Sequence, residues 1–179
     1  MSLLSAELAE GEPFPSLALG APFPASWSPL ATVLYSSAQA RRATDGGTPA
    51  TFWPSLAMAD VPAAFSGPIT PKLTPVVAPL IQGRDFLNDQ AGVTVTPTVS
   101  WRAPTTGVAV AYRLSITRLN GTSRPTDFWR ILTPNTSVTV PGDILVAGSA
   151  YVLELQALSS VGVGVPYAGA SVVSGVVRP

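Results

Sequence analysis

From Gly92 onward, apolar and polar residues alternate with a period of two. Val93, Val95, Val99 and Trp101 interleave with Thr94, Thr96, Thr98 and Ser100. In a strand these sets fall on opposite faces, which predicts one apolar and one hydroxylated face. Pro97 interrupts the run and predicts a bulge or an edge position. Val108, Val110, Tyr112, Leu114 and Ile116 repeat the pattern, with Arg113, Ser115 and Thr117 facing outward. Asn120-Gly121 then predicts a two-residue hairpin turn, because both residues tolerate positive φ. Phe128 to Leu132 and Thr136 to Val140 read as short strands, the latter with Val138 and Val140 inside. Tyr151, Leu153, Leu155 and Ala157 alternate with Val152, Glu154 and Gln156, and Ser171 to Val177 closes the set. Short strands at regular spacing, with turn signals between them, predict an all-β sandwich or barrel.

The first 70 residues follow a different rule. Twelve of the 19 prolines fall within the first 79 residues. An interior proline removes a helix hydrogen bond and clashes with the preceding turn, at about 3 kcal/mol. Only residues 2–12 read as helical, with Leu3, Leu4 and Leu8 on one side and Ser2 or Ser5 as cap. Ala31 to Tyr35 and Ala50 to Trp53 read as strands joined through the polar Arg41 to Gly47 loop. Trp27, Phe52, Trp53 and Phe65 give this segment an aromatic load that linkers seldom carry. The turn-rich Ser66-Gly67-Pro68-Ile69-Thr70-Pro71 predicts a boundary. The expected organisation is therefore a proline-rich segment over 1–70 and a sandwich over 71–179. Residues 1–70 would be an extension, or the remnant of another β-domain.

Composition narrows the chemistry. The chain has 179 residues, no cysteine and no histidine. Disulfides, imidazole or thiolate metal sites and Cys or His nucleophile pairs are thereby excluded. Charged residues are 11% of the chain, and ten basic side chains balance ten acidic ones, so no basic footprint points to nucleic acid. Two basic against five acidic residues give residues 1–70 a net charge of −3, and eight against five give the remainder +3. Nine of the ten basic residues are arginine, which suggests a GC-rich genome. The uncharged stretches Pro13 to Ala40 and Leu155 to Val177 are broken by proline or glycine, so neither reads as a membrane span. The N-terminus has no positive region and is acidic at Glu7, Glu10 and Glu12, unlike a secretory leader.

From about Leu73 to Val177 the residues resemble a fibronectin type III domain. Trp101 stands where that family keeps its second-strand tryptophan, and Tyr112 where it keeps a third-strand aromatic. Leu145-Val146-Ala147-Gly148-Ser149-Ala150-Tyr151 is similar to the family's Leu-x-Pro-Gly-x-x-Tyr turn, with Ala147 in place of proline. The resemblance implies an immunoglobulin-like sandwich of about seven strands. It also implies a tyrosine corner in which the Tyr151 hydroxyl bonds backbone a few residues upstream. A spacer or binding role outside the cell or in the periplasm is implied as well, as in appendages of exported bacterial proteins. The family's adhesive Arg-Gly-Asp loop has no counterpart, since Ser159 to Gly169 carries Gly162, Val163, Gly164, Val165, Pro166 and Tyr167.

Three chemistries remain to be weighed. Asp85, Asn88 and Asp89 are close enough in sequence to offer oxygens to calcium, and equally explicable as turn formers. Trp27, Trp53, Trp129 and Tyr167 could stack on sugar rings, or could be core and interdomain contacts. Trp129 stands out because either it or Phe128 must face outward in a strand. Catalysis finds no nucleophile–base pair, and Lys72, the only lysine, has no Ser-x-x-Lys before it. Asn120-Gly121-Thr122 and Asn135-Thr136-Ser137 are glycosylation sequons lying in predicted turns. The expectation is a non-catalytic, monomeric module that needs no cofactor and contacts other protein domains or polysaccharide.

Overall fold

The computed structural model describes residues 32–44, 47–60, 71–120, 128–159 and 169–179. The expected helix over 2–12, the boundary at 66–70, the turn past Asn120, Trp27, Phe65 and Tyr167 lie outside the described residues. Fourteen strands and no helix occur among those described. The N-terminal four are β1 (Thr32–Ser36), β2 (Gln39–Arg41), β3 (Ala50–Phe52) and β4 (Ser55–Asp60). Then come β5 (Val77–Ile81), β6 (Arg84–Asp85), β7 (Gln90–Ala91), β8 (Thr98–Arg102) and β9 (Ala111–Leu119). The last five are β10 (Phe128–Thr133), β11 (Ser137–Thr139), β12 (Ala150–Leu158), β13 (Gly169–Val173) and β14 (Val177–Arg178).

Two sheets face one another. The smaller runs β11-β8-β5-β6. The larger runs β10-β9-β12, and the far edge of β12 carries two strands in line. β13 pairs with Glu154 to Leu158, and β14 pairs with Tyr151. Side chains from both sheets form one core, with Ile81, Val99 and Trp101 meeting Leu114, Ile116, Leu153 and Leu155. The architecture is all-β and sandwich-like, as the alternation over residues 92–177 predicts.

The N-terminal segment is built into the larger sheet. β1 and β4 form an antiparallel hairpin, and Leu56 of β4 pairs with Ala170 of β13. The same hairpin continues past Ser37, whose amide donates to Pro54 O at 3.4 Å, into the β2–β3 pair. Ala50 and Phe52 then pack with Ala43 on Leu119, Ala150, Val152, Val173 and Val176, the sheet face turned away from the sandwich core. β12 is therefore covered on both faces. Its outward set departs from expectation for that reason: Val152 and Gln156 are buried, and only Glu154 is half-buried.

Other departures have local causes. Val108 and Val110 are 79% and 49% exposed rather than inside, because β9 begins only at Ala111. Ser115, read as outward, is buried on the covered face. The expected strand through Val93 to Trp101 starts after Pro97, which has no N–H for the ladder and serves as acceptor for the Val140 amide at 3.0 Å. Ser171 to Val177 is two strands, because Ser174 replaces ladder contacts with its own side chain. Its Oγ accepts from Leu153 N at 2.9 Å and donates to its neighbour, Gly175 O, at 2.6 Å. In the N-terminal segment the strand near Ala50 pairs with β2, and the strand near Thr32 pairs with β4, so the two expected strands are not each other's partners.

Two backbone sites carry strain that substitution can test. The β5–β6 hairpin turns on Gln82-Gly83 with φ of 50° and 76°, the double positive φ of a type I′ turn. Gln82 holds that conformation while its side chain bonds Thr94 through both amide atoms. Ala78 has φ 47° where the β5–β8 register shifts between Val77 and Leu80. A left-handed alanine costs about 1–2 kcal/mol, only partly offset by the entropy that glycine loses on folding. Ala78→Gly is expected to stabilise the fold by about 0.5–1 kcal/mol, seen as a higher urea midpoint at unchanged m-value.

Candidate functional site

The turn before Ala150 places one polar atom with care. Tyr151 is buried at the head of β12, and its hydroxyl accepts the Val146 amide at 2.9 Å, five residues upstream. Across the core, Trp101 of the opposite sheet meets Tyr112 of β9 edge-on, with ring centroids 5.2 Å apart at 65°. Removing the hydroxyl leaves the Val146 N–H without that acceptor. Tyr151→Phe is expected to lower stability by about 1 kcal/mol, with the spectrum of the folded state unchanged.

The oxygen-bearing loop is occupied with its own backbone. Asp85 Oδ1 accepts from Leu87 N at 3.0 Å, Asn88 Nδ2 donates to Asp85 Oδ2 at 3.4 Å, and Asp89 Oδ1 accepts from Val176 N at 2.7 Å. Asp89 thus ties this loop to the break between β13 and β14, and Gln90 Nε2 closes it by donating to Asp85 O at 2.7 Å. Phe86, in the middle of the loop, is fully buried in the sandwich core. Among the described residues no three acidic side chains gather as a metal site would need.

Of the rings proposed for sugar stacking, the two among the described residues, Trp53 and Trp129, are far apart. Trp129 on β10 is 51% exposed and pairs in register with Ile116, while Trp53, after β3, is 62% exposed. β9, β12 and β13 lie between β10 and β4, so about 19 Å of sheet separates the two strands at the usual spacing of neighbours. Leu132, further along β10, is also exposed.

A concave site occurs instead where the N-terminal hairpin meets β13. A cavity of about 470 Å³ opens there, lined by Pro54, Leu56, Pro75, Leu87, Val172 and Val173, with Ser37, Gln39, Arg41, Ser55 and Ser171. Arg41 is the only charged residue among the described residues that line it. The guanidinium spans the seam: Nε donates to Ser174 O at 2.8 Å, Nη1 to Ala40 O at 3.1 Å and Nη2 to Gln39 Oε1 at 2.9 Å. Arg178 Nη2 donates back to Ala43 O at 3.0 Å, and Ser55 N donates to Ser171 Oγ at 2.9 Å. None of this is legible in the sequence. Arg41 falls in what reads as a polar connecting loop, and the carbonyl it reaches across the seam is 133 positions away.

Among the described residues, no helix is long and apolar enough to cross a membrane. No protein-family model matches the chain, and no curated protein matches its sequence.

Proposed function

We propose that this chain is a fibronectin type III-like module with a structural role, holding partner domains of a larger exported bacterial protein at fixed spacing. The fold-level part of the reading is supported by the strand order. β11-β8-β5 faces β10-β9-β12 with β13 and β14 beyond, and the Tyr151 hydroxyl makes the bond that a tyrosine corner requires. Fold alone assigns no activity, so the functional part rests on one further observation. The N-terminal hairpin continues the sandwich sheet through β4 and β13, and Arg41 and Arg178 lock it from both sides. A segment joined in this way transmits orientation, which a flexible tether does not.

The chain has no cysteine, so paired spin labels can be placed uniquely at the exposed positions Ala38 and Asp143. A spacer predicts one narrow distance distribution between them. A broad distribution would show a hinge at the hairpin and remove the structural reading.

The exposure of Trp53 and Trp129 favours a second reading, a polysaccharide-binding appendage. Retention on insoluble cellulose or chitin, lost on Trp129→Ala, would support it. Passage through both matrices unretained is the outcome expected of a spacer.

A further inference from the structure

Arg41 is half-buried, and among the described residues its guanidinium bonds only uncharged oxygens. A guanidinium carries five N–H donors, and among the described residues three find partners. Among the described residues no carboxylate pairs with it. The positive charge therefore sits at an apolar wall formed by Pro54, Leu56, Pro75, Leu87 and Val172, with two N–H groups still to place. Partly removing a charge from water without an opposite charge is unfavourable, and the same desolvated setting strengthens any anion that reaches it. A volume near 470 Å³ lies within the range of small-molecule pockets. An open recess with an apolar wall and one fixed cation selects for a molecule with an apolar body and one terminal anion.

We infer that the seam between the hairpin and β13 binds a small apolar carboxylate. The acid group takes the free N–H groups of Arg41, and the hydrocarbon body lies against Leu56, Leu87 and Val172. Because β2 and β4 belong to the hairpin while Leu87 and Val172 belong to the sandwich, occupation of the site couples to hairpin docking. Bound ligand holds the two together, and an undocked hairpin has no site. This goes beyond the spacer reading and does not depend on it.

The test uses octanoate and 1-octanol as probes of matched length, titrated into the 179-residue chain and followed by amide and methyl NMR shifts. Octanoate should move the signals of Leu56, Leu87 and Val172 and bind at least about tenfold tighter than octanol, the margin of a charge-assisted hydrogen bond. Arg41→Gln should bring octanoate down to the octanol level while leaving octanol binding unchanged, and Arg41→Lys should recover part of the difference. Leu87 is 54% exposed, so Leu87→Glu should fold normally and repel octanoate. That variant decides the matter if Arg41→Gln undocks the hairpin. Equal binding of the two probes, shifts confined to residues elsewhere, or octanoate binding untouched by Leu87→Glu would overturn the assignment.

Discussion

Phe86→Ala is expected to cost about 3–5 kcal/mol, a large part of the 5–15 kcal/mol that holds a domain of this size together. The ring is fully buried although it belongs to a turn rather than a strand. Its backbone is fixed on both sides. The Phe86 amide donates to Pro79 O at 3.0 Å, and its carbonyl accepts from Gly175 N at 3.1 Å. The surrounding chain therefore cannot collapse into the space a truncated side chain leaves, and the full cavity cost applies. Equilibrium urea unfolding would read the loss as a lowered midpoint. Leu87→Ala, one residue on and half exposed, should stay within about 0.5 kcal/mol of the parent.

Gly175→Ala should be comparably severe by the opposite mechanism, overpacking. A methyl group there would stand 2.2 Å from the Asn88 carbonyl carbon, 2.3 Å from its oxygen and 2.4 Å from Asp89 N. All three are backbone atoms, so no side chain can swing aside. Moving the 88–89 backbone would break the Asp89 Oδ1 bond to Val176 N and the Gln90 N bond to Val176 O at 2.8 Å. It would also disturb the parallel pairing of Gln90 with Val177. Overpacking plus two hydrogen bonds amounts to about 3 kcal/mol or more. Gly148→Ala is the control. Nothing lies within 4 Å of its added methyl, and only its φ of 77° opposes the change, at about 1–2 kcal/mol. If the two variants unfold at the same urea concentration, residues 86–89 do not pack on the β13–β14 break.

These two sites show where sequence reasoning reaches and where it stops. The inner face of β12 is legible, because Tyr151, Leu153, Leu155 and Ala157 repeat with strand periodicity and all four are buried. The other face is not. Val152 and Gln156 look outward until the hairpin covers that face, and tertiary covering leaves no local periodic mark. Phe86 has the same difficulty. An isolated ring among Asp85, Asn88 and Asp89 reads as part of an oxygen-rich loop, and its burial depends on Gly175, far along the chain. Arg41 is the hardest case. It sits at the end of a three-residue strand, too short for periodicity to register, and its task is set by the Ser174 carbonyl. The tryptophans mark the same limit. Strand alternation predicts that one of Phe128 and Trp129 faces out, but it cannot show that β9, β12 and β13 separate β10 from the strand that Trp53 leads into.

The union of hairpin and sandwich in a single sheet is best tested by amide hydrogen exchange on the intact chain. β4 lies between β1 and β13, so its amides, that of Ser55 at its start included, should exchange as slowly as those of β13 and open in the same cooperative step. β1, at the sheet edge, should exchange faster. Exchange of residues 50–57 at unfolded-chain rates, with β9 and β12 still protected, would contradict the joined sheet and leave the hairpin a separate tether.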